Sequence, residues 1–183
     1  MTGVQTCALP ISLREVGSAD ALVLWLRPED LVSLERVPVR TSRVWISGGM
    51  GGLERAPLPA SWRAATRMAY PVDLPGQRVV RVDYALSWFR IRKIPLVAQQ
   101  VQVDTYLACG LVSETLSHLV DAFVRDYLIE RVEMALDHRV LTGYYPRLTL
   151  APGQRFASKG GYMVRFTEPQ GSKVAALGDW ITP

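Results

Sequence analysis

Arg43-Val44-Trp45-Ile46-Ser47-Gly48-Gly49-Met50-Gly51-Gly52 is the stretch on which the fold turns. Its first half is a short apolar run that reads as a buried strand. Its second half is four glycines and a methionine, a backbone that can approach a ligand closely because few side chains stand in the way. Strands that end in such loops are where α/β sheets bind ligands, in the crevice beyond their carboxyl ends.

Upstream, Ala21-Leu22-Val23-Leu24-Trp25-Leu26 is a continuous apolar run of buried-strand type, and Arg27-Pro28-Glu29-Asp30 puts a proline in the first turn of a short helix ending near Arg36. That is one β-α unit. Downstream, Pro57 and Pro59 interrupt the chain before Met68-Ala69-Tyr70-Pro71, a third short strand. Connections of this length predict that residues 21–26, 44–47 and 67–70 are neighbours in one largely parallel sheet. Asp73-Leu-Pro-Gly76 reads as a turn, and Val79 to Ile94, with Trp88, Phe89, Arg90 and Arg92, as irregular extended chain.

The largest block with one reading is Val97 to Phe166, opening with a long apolar helix over 97–124. Val101, Ala108, Val112, Thr115 or Leu116, Leu119 and Phe123 recur at helical spacing, whereas Ser113, Glu114, Ser117 and Asp121 share the wet face. Val103, Leu107 and Leu111 widen the apolar side, so the helix is expected to be covered on more than one side and to present an apolar flank beyond the sheet. A second, amphipathic helix follows and closes at Leu141-Thr142-Gly143. Strands are expected over Arg147–Leu150, Gly161–Phe166 and Lys173–Leu177, with turns at Ala151-Pro-Gly-Gln154 and Glu168-Pro-Gln-Gly171. The fold class is therefore α/β, a mainly parallel sheet with flanking helices and antiparallel C-terminal strands.

At 183 residues the chain has room for one domain with a real core. Its longest apolar run, Ala21 to Leu26, is far too short to cross a bilayer. The net charge of +4 comes from 21 basic residues, only Lys93, Lys159 and Lys173 being lysines, and the arginines are scattered, so no nucleic-acid partner is expected. Cys109 sits between Ala108 and Gly110 and reads as a small, buried, free thiol. Residues 1–12, Met1-Thr-Gly-Val-Gln-Thr-Cys7-Ala-Leu-Pro-Ile-Ser12, have neither the basic start nor the apolar middle of a signal peptide. They resemble a translated sequencing-library adapter. The expectation is that they are an artefact, that residues 13–183 are the protein, and that the biological chain begins upstream of Leu13.

Signatures of chemistry are sparse. Gly49-Met50-Gly51-Gly52-Leu53-Glu54 ends in Glu where a dinucleotide fingerprint needs glycine, and prolines follow rather than a helix. Gly153-Gln-Arg-Phe-Ala-Ser158-Lys159-Gly160 departs from a phosphate loop at two required positions. His118, four residues after Glu114, and His138, beside Asp137, lack metal-ligand spacing and read as solvated or capping. Ser47 is in no nucleophile elbow, and Glu130 and Glu133 lie with Arg131 on a solvated helix face. Neither a metal, a cofactor nor a catalytic centre is expected. A ligand-binding α/β lobe is.

From Ala21 to its end the chain resembles the C-terminal part of type I periplasmic substrate-binding proteins, the receptors of branched-chain amino acid and amide ABC transporters. The resemblance rests on ordered elements: strand 21–26, strand 44–47 with its Gly-Met-Gly loop, strand 68–71, the helix entered at Asp104-Thr-Tyr106-Leu-Ala108, the Leu141-Thr-Gly143 exit, the Tyr145–Leu150 strand and the tail Gly161-Tyr-Met-Val-Arg165. It implies the second lobe of a two-lobed receptor that closes on its ligand about a hinge. It also implies a periplasmic location, a small polar ligand such as an amino acid or amide, an inner-membrane ABC permease as partner, and no enzymatic activity. Family contacts made by this lobe match Ser47, Gly48, Gly49, Met50, Glu54 and Tyr70, with Glu54 in place for the acid that meets a ligand ammonium. Arg78 to Pro95 is longer and more basic than the family pattern. The alternatives are a sensory ligand-binding domain and an α/β enzyme with its site at the Gly48–Gly52 loop.

Overall fold

A computed structural model describes residues 21–119, 123–150, 153–154 and 156–182. The readings of residues 1–12, of Asp121 and of Ala151-Pro152 fall outside these. The chain divides into two units, one holding residues 21–71 and 161–181, the other residues 72–160.

The first unit is built on a five-stranded mixed sheet. Strands β1 (Leu22–Leu24), β2 (Val44–Ser47) and β3 (Thr66–Tyr70) run parallel, β4 (Tyr162–Phe166) pairs antiparallel with β3, and β5 (Val174–Ala176) pairs antiparallel with β4. The registers Leu24↔Ile46, Ile46↔Met68 and Met68↔Val164 carry one row of side chains across four strands. All four are buried. The β1–β2 connection holds α1 (Pro28–Val32) and a 3-10 turn (Ser33–Arg36); the β2–β3 connection holds α2 (Gly48–Gly51), a second 3-10 turn (Leu53–Arg55) and α3 (Ala60–Arg63). The parallel trio and its antiparallel finish are those expected from the sequence.

The strands differ from the expectation in how deeply they are buried. Along β3, Thr66, Met68 and Tyr70 point inward and Arg67 and Ala69 outward, and on β1 Val23 is 62% exposed. Trp25, just beyond β1, is 68% exposed, so the apolar run 21–26 is buried on one face, not two. The core lies on the other face, where Leu31, Leu34 and Trp62 are buried and the Trp62 indole donates to Leu34 O and Val37 O at 3.1 and 3.0 Å. Arg63 ties the far strands in: its guanidinium lies 4.6 Å from the Phe166 ring centroid while Nε donates to Leu58 O and Nη1 to Gly171 O.

The second unit contains α4 (Pro75–Ile91), α5 (Gln99–Ser117) and α6 (Arg125–Asp137). Helix α4 corrects the reading of 79–94 as extended chain. Pro75 supplies the preset φ of a first helical turn, and Val82, Ala85 and Phe89 recur at helical spacing on the buried side. The pattern was obscured because Val79, Val80, Tyr84 and Ile91 put apolar groups on the exposed side as well. Tyr106 of α5 meets Trp88 and Phe89 of α4 with ring centroids 5.0 and 5.7 Å apart.

Helix α5 stops at Ser117 rather than 124; its wet face of Ser113, Glu114 and Ser117 is exposed as expected, but its buried side is narrower than expected. Val103, Leu107 and Thr115 are buried; Val101, Ala108, Val112, Leu116 and the later Phe123 are exposed, as is Cys109. Residues 147–150 form no strand. Helix α6 ends at Asp137, six residues before Gly143, whose role is different. At φ +66° an added Cβ would meet Leu107 Cδ1 at 2.5 Å, so glycine lets residues 142–146 pass over α5.

That segment is anchored from α4. The Arg81 guanidinium donates through Nη1 to Thr142 Oγ1 (3.2 Å), Tyr145 O (3.0 Å) and Pro146 O (2.5 Å), and its Nε lies 3.3 Å from Asp73 Oδ2. Asp73 is wholly buried, accepts from Leu74 N–H and donates its own N–H to Tyr144 O at 2.7 Å. Sites of this kind are costly to break because the surviving charge is left without its partner.

Candidate functional site

The six candidate residues converge at the carboxyl ends of β2 and β3. Ser47 is the last residue of β2, and its Oγ accepts the Met50 N–H at 3.4 Å, capping the single helical turn Gly48–Gly51. The glycine stretch is thus a helical turn, not an open loop. Gly48 is required there for a steric reason: an added Cβ would stand 2.7 Å from Ala69 O and 2.9 Å from Met68 Sδ, so only glycine lets α2 lie against the end of β3. Gly49 and Met50 are exposed.

Gly52 turns the chain at φ +98° into the Leu53–Arg55 turn, which brings Glu54 to Tyr70. The Tyr70 hydroxyl donates to Glu54 Oε2 at 2.5 Å, a charge-assisted bond. Tyr70 itself is fully buried beneath Glu54, which is half-buried. Gly161 then passes so near that a Cβ on it would meet Tyr70 O at 2.8 Å. The accessible part of the cluster is therefore the Ser47–Met50 turn and the Glu54 carboxylate, with the Tyr70 ring as their support.

Sequence reasoning joined these six residues through the resemblance to periplasmic binding proteins, with the glycine stretch at a strand end pointing to the same place. It missed a second cluster. His118 and His138 follow the last residues of α5 and α6, and with Glu114, Arg131, Met134 and Arg139 they line a concavity of about 480 Å³ within the second unit. Nothing in the local spacing of either histidine signals that they share a wall, since the pairing of α5 with α6 produces it. A third polar pair lies nearby in sequence: the Tyr145 hydroxyl donates to Asp104 Oδ2 at 3.3 Å, and burial pushes the Asp104 carboxyl above its ordinary range against the lowering effect of that bond.

Among the described residues no group of three or more His, Cys, Asp or Glu could hold a metal ion, and no helix is long and apolar enough to cross a membrane. No protein-family model, curated protein or solved structure matches the chain. The cluster presents a half-buried carboxylate, oriented by Tyr70, beside a helical turn of small residues.

Proposed function

We propose that this chain forms the second lobe of a type I periplasmic solute receptor, which binds a small polar molecule such as an amino acid or amide and delivers it to an ABC permease. The observation that carries the reading is the convergence of Ser47, Gly48, Gly49, Met50, Glu54 and Tyr70 at the carboxyl ends of two adjacent parallel strands. In this proposal Glu54 meets the positive end of the ligand, Tyr70 holds Glu54 in place, and the Ser47–Met50 turn supplies hydrogen bonds and lets the ligand approach. The open face of the sheet, with Val23 and Trp25, and the exposed apolar residues of α4 and α5 are surfaces that further parts of a two-lobed receptor would cover.

One wall of a cleft receptor binds weakly, because each hydrogen bond open to water contributes on the order of 1 kcal/mol and immobilising the solute costs more than a few of these return. The test is calorimetry with a panel of amino acids, amides and short carboxylates on a product that carries a first lobe upstream of Leu13. One panel member should bind, Glu54→Gln should abolish its binding, and Tyr70→Phe should weaken it while leaving the ring packed. Unchanged affinity in Glu54→Gln would remove Glu54 from the site.

A further inference from the structure

A concavity of the second unit lies at the ends of α5 and α6. Arg131, Arg139, His118 and His138 face it against a single carboxylate, Glu114, and that carboxylate is already paired with Arg139 Nη1 at 3.3 Å. His118, His138 and Arg139 stand just past helix C-termini, where cations answer the unpaired carbonyls and need no ligand to account for them. Arg131 has no such explanation. It sits in the middle of α6, its guanidinium lies 5.5 Å from the Tyr127 ring centroid, and its Nε–H is buried without an acceptor. The Nε–H of Arg139 is likewise buried and without an acceptor.

Two arginines and two histidines against one carboxylate leave the wall of the cavity short of negative charge, which a bound anion would supply. The cavity also has an apolar wall at Met134, and its volume of about 480 Å³ is that of a small-molecule site. We propose that this concavity binds a small organic anion, with a carboxylate or phosphate head group held by Arg131 and Arg139 and a short apolar body against Met134. Such a forked, charge-assisted contact is the usual way arginines recognise both head groups.

The test is a titration of the 183-residue chain with sodium hexanoate and, separately, inorganic phosphate, followed by calorimetry and by NMR of the His118 and His138 rings. Sodium chloride at matched ionic strength is the control. Both rings should respond saturably to at least one anion, with a dissociation constant of about 1–10 mM, and the tighter of the two names the head group. Arg131→Gln should weaken binding at least tenfold with the melting temperature unchanged. Met134→Glu, at a half-exposed position that tolerates a polar side chain, should do the same by placing a like charge at the site. Ring shifts no larger than those in chloride, or either folded variant binding as the parent does, would overturn the proposal.

Discussion

The sheet unit and the helical unit are held together in different ways. In the first, side chains alternate across hydrogen-bonded strands and glycines sit where backbone meets backbone: Gly48 against Ala69 O, Gly161 against Tyr70 O. In the second, helices leave a broad apolar exterior, with Val80 75% and Ile91 78% exposed, and the chain is fixed by a few polar anchors, the buried Asp73 and its partner Arg81 foremost. A sheet distributes its specification over many registered positions. A small helical unit concentrates it in a few.

The most severe test of that contrast is Asp73→Ala. It leaves Arg81 facing Thr142, Tyr145 and Pro146 without its counter-charge, and the loss should be about 3 kcal/mol, the low end for a buried pair because the Arg81 side chain is 30% exposed. Thermal or denaturant unfolding gives the magnitude, and amide hydrogen exchange should show the loss concentrated in residues 72–146. A loss spread evenly over both units would erase the distinction.

Next comes a pair of glycines. Gly48→Ala forces a methyl group against a carbonyl oxygen and should cost about 2 kcal/mol. Gly76 stands in the first turn of α4 with nothing within 4 Å of an added Cβ, so Gly76→Ala should stabilise by about 0.5 kcal/mol through the unfolded chain. Equal effects at the two positions would mean that the close approach of α2 to β3 has been misjudged.

The smallest effect is a pH dependence of the helical unit. Burial raises the Asp104 carboxyl above its ordinary value of 3.8, so the folded chain holds that proton more tightly than the unfolded chain. The resulting stability is fully present below the unfolded value and is lost as pH rises through the raised folded value. Asp104→Asn should remove this step from a plot of stability against pH. Persistence of the step in the variant would assign it to another group.

The same contrast explains what could be read from the sequence. The parallel order of β1, β2 and β3 was legible because their apolar runs are short, separated by helix and turn signals, and joined by connections of crossover length. The site cluster came from the family resemblance, and only the glycine stretch at the end of β2 was marked by the residues themselves. Helix α4 was not legible, because Val79, Val80, Tyr84 and Ile91 carry apolar groups outside the buried Val82-Ala85-Phe89 row and blur the period. For α5 the wet face of Ser113, Glu114 and Ser117 was legible, but two apolar stripes compete beside it, and contact with α4 through Tyr106 goes with burial of Val103 and Leu107 rather than Val101 and Val112. Nor did the sequence signal that Tyr70 is buried under Glu54, since a tyrosine at a strand end serves equally well as lining or as support.

In the proposed function the cluster at the ends of β2 and β3 is one wall of a cleft. Calorimetry of the 183-residue chain against amino acids, amides and short carboxylates tests it most directly. The account predicts no saturable binding tighter than about millimolar, because a single open wall gives too few hydrogen bonds to hold a solute. Submicromolar binding by this chain alone, abolished by Glu54→Gln, would show a complete site and contradict it.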